Sequence, residues 1–177
     1  HFKEVNDELG HAAGDAVLRQ IRARLQPVFR ETDHLVRWGG EEFLIIARST
    51  TRAHAAELAE RARQQVASQP FDLGDGQWRA MTCSVGFACF PLDPEHPRDA
   101  DWNLVVALAD QAMYAAKHGG RDGWVGVLRA QARESRRAGR RVDDWLRSGE
   151  LEWTALRPQA LPVAPVLAHD PATRRSA

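Results

Sequence analysis

Only two cysteines occur among the 177 residues, and no sign of charge dominates: lysine plus arginine and aspartate plus glutamate number 24 each. The balance points to no polyanionic or polycationic partner, so neither nucleic acid nor a membrane surface is implied. No apolar run approaches the roughly 18 residues that span a bilayer, and no signal peptide is visible. A cytoplasmic location is the expectation, whether or not the parent chain is membrane-anchored. The seven histidines are scattered without ligand spacing, which argues against a zinc site. Cys83 and Cys89 fall in one strand-like run, Met81 to Phe90, on one face with Val85 and Phe87 if that strand is regular. Along a single strand they are too far apart to bridge, so they read as core thiols in a reducing compartment. No internal repeat is apparent. The first residue is His1 rather than Met, and the sequence is read as part of a longer chain.

What is present suits one domain with an appendage, since 44% hydrophobic residues supply a real core. Val17, Leu18, Ile21, Leu25 and Val28 recur at helical spacing and predict a helix over 14–29. A hairpin follows at about 34–38 and 42–47, then a helix over 52–68 burying Ala55, Leu58, Ala59, Ala62 and Val66. Strands are expected at 71–73 and 79–90 around the Gly74-Asp75-Gly76 turn, a third helix at 101–118 ended by Gly119-Gly120, and a closing strand at 124–128. This order predicts an α/β or α+β sandwich, a central mixed and mostly antiparallel sheet flanked by helices. Residues 1–128 form the domain. In 129–177, seven arginines against three acids in Arg129–Arg147 mark a basic helical segment, and Pro158, Pro162, Pro165 and Pro171 mark a tail expected to be disordered. With Trp145 and Leu146 on a helix-compatible background, the basic segment reads as a solvated face packed on its own domain by a few apolar residues, with contact to nucleic acid or membrane as the alternative.

The chemistry concentrates at Arg37-Trp38-Gly39-Gly40-Glu41-Glu42-Phe43. A glycine pair between apolar runs is a hairpin signal, because primed turns need positive φ. Bare glycine backbone admits a bulky ligand such as a triphosphate, and carboxylates at the tip suit a hard cation; solvated acids on an ordinary turn are the plainer alternative. Four clusters accompany the hairpin. Phe2-Lys3, Asn6-Asp7, Gly10-His11 and Gly14-Asp15 carry amide and carboxylate groups suited to guanine, or simply form a helix entry. Arg30-Glu31-Thr32-Asp33 precedes the hairpin. Ala109 to Lys117 is followed by Gly120-Arg121-Asp122, so Lys117 and Arg121 sit four apart at a helix end, able to reach one anion or merely to complement the helix dipole.

Together these clusters resemble the GGDEF family, the catalytic domain of diguanylate cyclases, over residues 1 to about 128. The resemblance implies a palm-like sheet flanked by helices and a reaction that condenses two GTP into cyclic di-GMP with release of two pyrophosphates. Two domains, each holding one GTP, would meet as a homodimer. Asn6 and Asp15 would read guanine, while the backbone at His1, Phe2 and Lys3, with the Lys117 and Arg121 side chains, would hold phosphate. Gly39 and Gly40 would let the nucleotide lie against the hairpin. Glu41 would bind Mg²⁺ (Mn²⁺ as the alternative), and Glu42 would stand near the reacting 3′-hydroxyl or assist the metal. Arg30 and Asp33, with Arg61 on the second predicted helix, match an inhibitory site for the product, although an Arg-x-x-Asp pair is also an ordinary surface ion pair. A non-catalytic member that binds cyclic di-GMP or GTP as a signalling receptor is the alternative, and the retained hairpin carboxylates oppose it.

The sequence departs from the pattern in two places. The family's Asp-x-Asp strand, with its first metal ligand, would lie before His1. Residues 1–177 alone are therefore expected to be inactive or poorly folded, within an active parent that carries a sensor or regulatory module. Asp122 replaces the usual Asn, and its charge beside Lys117 and Arg121 is expected to weaken phosphate binding.

Overall fold

The computed structural model describes residues 1–130 and 141–157. Its elements are α1 Phe2–Leu9, α2 His11–Leu25, β1 His34–Gly39, β2 Glu42–Ile46, α3 Arg52–Ala67, β3 Phe71–Gly74 and β4 Gln77–Arg79. They continue with β5 Val85–Ala88, α4 Trp102–His118, β6 Trp124–Ala130, α5 Val142–Ser148 and β7 Leu151–Ala155. Mixed helices and strands agree with the expected α/β class. The single central sheet is instead three ladders: β1–β2, β3–β4 and β5–β6–β7. Among the described residues only β5–β6 is parallel; the other pairings are antiparallel.

Residues 2–9 are helical, which the glycine-rich pattern concealed. Gly10, at φ +80°, breaks the path between α1 and α2 while its N–H still caps Asn6 O at 2.9 Å. The helix predicted over 14–29 begins at His11 and ends at Leu25, where Pro27 joins a 3₁₀ turn, Gln26–Val28. The strand expected over 79–90 is divided. Its first part closes the β3–β4 hairpin, and its second leaves that partner to pair with β6, with Val85 N bonded to Gly123 O and Cys89 N to Val127 O, both at 2.9 Å. Alternation along a chain cannot mark where a strand changes partner, because both halves keep the same period of two.

Two main cores hold the elements. Val5, Ala13, Val17 and Leu25 of α1 and α2 bury against Ala62, Val66, Phe71 and Leu73, and the hairpin's Leu35 and Ile45 pack on the same cluster. Leu104, Val105 and Leu108 of α4 pack with Leu92, Val127, Trp145 and Leu151 in the other. Arg24 joins α2 to the end of α3: its guanidinium donates to the carbonyls of Val66, Gln69 and Pro70 and lies 3.6 Å from the centroid of the Phe71 ring. Those carbonyls at and beyond the helix end would otherwise be short of donors. Burial pulls the Arg24 pKa below its ordinary value.

The helix α4 starts at Asp101, whose carboxylate accepts from Leu104 N at 2.8 Å. It crosses β5 at backbone contact distance, since a Cβ on Gly86 would stand 2.1 Å from Met113 N. Cys83 and Cys89 are unbridged, and burial pushes the Cys83 thiol up to about 12, as expected for packing residues. The expected domain boundary at 128 falls inside β6. Past it, Trp145 is 1% exposed and β7 pairs with β6, so residues 141–157 are packed on the domain. The rest of the basic segment, 131–140, and the proline-rich tail, 158–177, lie outside the described residues.

Candidate functional site

The hairpin places its carboxylates by a tight turn. Gly39 pairs with Glu42, Arg37 pairs with Phe43, and Trp38 bulges out between them. Gly40 takes φ +49°, a region costly for residues with a Cβ, and its carbonyl accepts from Arg37 Nε at 3.0 Å. Gly39 has no such constraint. A Cβ at either glycine would meet nothing within 4 Å, so space is open along the turn. Glu41 is exposed at the tip, and Glu42 is half-buried at the start of β2.

Two contacts are central to this arrangement, one between motifs distant in sequence and one within the N-terminal cluster. Lys117 Nζ, in the last turn of α4, lies 3.5 Å from a Glu42 carboxylate oxygen. The Asn6 side chain lies on the backbone of α2 at Gly14: a Cβ there would be 2.0 Å from Asn6 Oδ1 and 3.2 Å from Phe2 Cζ. Gly14 thus seats Asn6 one residue from Asp15. Phe2 and Lys3 occupy the first turn of α1, where backbone N–H groups have no intrahelical acceptor. Phe2 packs on the same core as Leu35 and Ile45, which ties this helix start to the hairpin.

The carboxylates of Glu41 and Glu42 offer hard oxygen donors, and no group of three metal-ligating side chains occurs among the described residues. That set fits Mg²⁺ of the kind held by one or two carboxylates and completed by substrate phosphates and water.

The Arg30–Asp33 pair forms a closed turn. Asp33 Oδ2 accepts from Arg30 N and Asp33 Oδ1 from Arg48 N, both at 2.8 Å, so the carboxylate pins the start of β1 beside the end of β2. Arg61 is exposed on α3, and among the described residues no hydrogen bond or ion pair joins it to that turn.

Sequence reading missed a network behind Lys117 and Arg121. Arg63 of α3 pairs with both Glu60 and Asp122, and Trp124 Nε1 donates to Glu60 at 3.1 Å. The bond to Arg63 is the main force holding the Glu60 carboxyl below its ordinary value, and Glu60 in turn keeps the Arg63 guanidinium firmly protonated. The Asp122 charge therefore has a partner of its own in Arg63. Glu60 and Arg63, three apart on one helix, were a visible pair; Asp122 as a third member had no local signal.

Comparison with known proteins agrees with this layout. The family described as "Diguanylate cyclase, GGDEF domain" matches residues 1–123. The diguanylate cyclase DgcP of Pseudomonas aeruginosa is 39% identical over 122 residues, covering 69% of this chain and 17% of that protein. Among solved structures, the GGDEF domain of YfiN from Pseudomonas aeruginosa is 36% identical with TM-score 0.59, covering 68% of this chain and 67% of that one. The GGDEF domain of DgcB from Caulobacter crescentus, solved in complex with c-di-GMP, is 33% identical with TM-score 0.61, covering 69% and 67%. The chain spans 33% and 17% of the length of the first two curated relatives it matches. The matched residues hold the hairpin, the Asn6–Gly14 contact and the Lys117–Glu42 pair, and the chain belongs to the GGDEF family.

Proposed function

We propose that this domain is the catalytic unit of a diguanylate cyclase, condensing two GTP into cyclic di-GMP and two pyrophosphates. The observation that carries the reading is the Lys117–Glu42 pair, which brings a cation from the late helix to the acid after the glycine turn. Open space at Gly39, where no positive φ demands glycine, supports a ligand lying against the hairpin.

In this mechanism Asn6 and Asp15 recognise guanine, the carboxylate accepting its N1–H and exocyclic amine. The first-turn N–H groups of α1 at Phe2 and Lys3 meet phosphate, as helix starts do. Arg121 and Lys117 add positive charge, Lys117 turning from the Glu42 carboxylate to the phosphate oxygens. Glu42 then accepts the proton of the 3′-hydroxyl, whose oxygen attacks the α-phosphate held by a second copy of the domain. The bond to the β-phosphate breaks and pyrophosphate leaves; each copy performs one such transfer. Catalysis of this type is largely positioning and charge stabilisation. Glu41 would hold Mg²⁺, which would neutralise charge on the transferring group.

We further propose that Arg30 and Asp33, with Arg61, bind the product as a brake. The closed turn at Asp33 supports this by fixing the backbone from which Arg30 projects, and each carboxylate oxygen retains a second lone pair. A guanidinium fork suits phosphate or the guanine Hoogsteen edge.

The experiment is incubation with GTP and Mg²⁺ of the chain joined, ahead of His1, to the family's Asp-x-Asp strand. Formation of cyclic di-GMP supports the cyclase. Tight binding of cyclic di-GMP or GTP without turnover would instead establish a receptor.

A further inference from the structure

Residues 119–123 connect α4 to β6 and carry an unusual backbone. Arg121 at φ +56° and Asp122 at φ +40° are consecutive non-glycine residues in the left-handed region, following Gly120 at φ +108°. Such residues persist only where surrounding contacts over-determine them, and they concentrate at functional sites.

Three contacts fix this segment from separate elements. Arg121 N donates to Ala116 O at 3.1 Å, closing the end of α4. Asp122 is held by Arg63 of α3, itself braced by Glu60. The third contact comes from beyond the residues that match the family. Arg157, two residues past β7, donates from Nη1 to the Arg121 carbonyl at 2.7 Å. It lines a shallow recess with Ala116, Gly119, Gly123 and Trp124, and its guanidinium is 3.4 Å from where a Cβ on Gly120 would stand. The strand β7 delivers Arg157 there because Leu156 N bonds Trp124 O at 3.0 Å and the preceding residues pair with β6.

We infer that Arg157 is a positioning residue for the phosphate-binding cations: by holding the Arg121 carbonyl it keeps the 119–123 segment in the conformation that presents Arg121 and the adjoining Lys117 to a nucleotide polyphosphate. The inference rests on the GTP reading given above. It gives the C-terminal strand a functional role: β7 is the arm that carries Arg157 to the site. The Arg63–Asp122 pair steadies the same segment from the opposite neighbour in sequence.

The test is equilibrium binding of GTP and of GMP, with Mg²⁺, to the unsubstituted chain joined, ahead of His1, to the Asp-x-Asp strand and to its Arg157→Ala and Arg157→Lys variants, with thermal melting of each. Loss of one positioning hydrogen bond predicts GTP binding weaker by about fivefold in Arg157→Ala. GMP, which lacks the β- and γ-phosphates, should bind within about twofold of the unsubstituted chain, and Arg157→Lys should recover part of the loss because its ammonium can still donate to the Arg121 carbonyl. Equal weakening of GTP and GMP would mean a merely structural role and overturn the inference, as would unchanged GTP affinity in a folded Arg157→Ala. Failure of the unsubstituted chain to bind GTP would overturn the nucleotide reading itself, and this inference with it.

Discussion

The Lys117 ammonium stands 3.5 Å from the Glu42 carboxylate, joining the end of α4 to the first residue of β2. Both side chains are partly exposed, 35% and 25%, so solvent screens the pair and its contribution to stability is small. In the proposed mechanism the pair holds a cation and an acid at one place, each of which exchanges its partner for substrate. Replacing Lys117 with Ala should weaken GTP binding by roughly 10- to 100-fold, the range for losing a charge-assisted bond. Glu42→Gln should retain GTP binding and lose turnover. Calorimetry on both variants checks the separation.

The Asn6–Gly14 contact predicts a steric effect on recognition. A Gly14→Ala methyl would stand 2.0 Å from Asn6 Oδ1, so Asn6 must move. The expected destabilisation is about 1–3 kcal/mol by urea unfolding, typical of overpacking. Preference for GTP over ATP should fall with it, measured by competition binding.

Gly39→Ala separates ligand sterics from folding. Its methyl meets nothing within 4 Å and Gly39 lacks positive φ, so stability should change by less than about 0.5 kcal/mol. GTP affinity should nevertheless fall. Gly40→Ala, at φ +49°, should instead cost about 1 kcal/mol of stability, the penalty of a left-handed residue with a Cβ.

Acid should act through Glu60. Its carboxyl lies below the ordinary value of 4.5, mainly through the bond to Arg63. A depressed folded-state pKa contributes stability that is fully present above 4.5 and is lost as pH falls from there through the lower folded value. Glu60→Gln should therefore flatten the fall in stability below about pH 4.5, seen in urea midpoints measured across that window.

The proposed product brake makes a kinetic prediction. Arg30→Ala should straighten late progress curves of cyclic di-GMP formation while leaving initial rates unchanged. An unaltered curve would remove Arg30 from any inhibitory site.

Much of this was legible in local sequence, because helices α3 and α4 bury stripes at regular spacing and Gly40 meets a turn that needs it. The GGDEF family was likewise readable from clusters whose order and spacing are linear properties. What escaped was non-local. The division of the 79–90 strand depends on pairing with β6, and the Arg63–Asp122 pair joins residues from α3 and the loop before β6. The α1 helix escaped for a different reason: glycines at 10 and 14 read as turns, whereas Gly10 separates two helices and Gly14 admits Asn6. The composition of 129–147 carried no signal that the strand after it, β7, would pair with β6.

The central claim is tested most directly by mass spectrometry of the product formed from GTP and Mg²⁺. The assay uses the domain with its Asp-x-Asp strand, at micromolar concentration, beside the Glu42→Gln variant. Cyclic di-GMP and pyrophosphate in a 1:2 ratio from the parent domain, and neither from the variant, are the predicted result. A folded, GTP-binding domain that forms no cyclic di-GMP would contradict it.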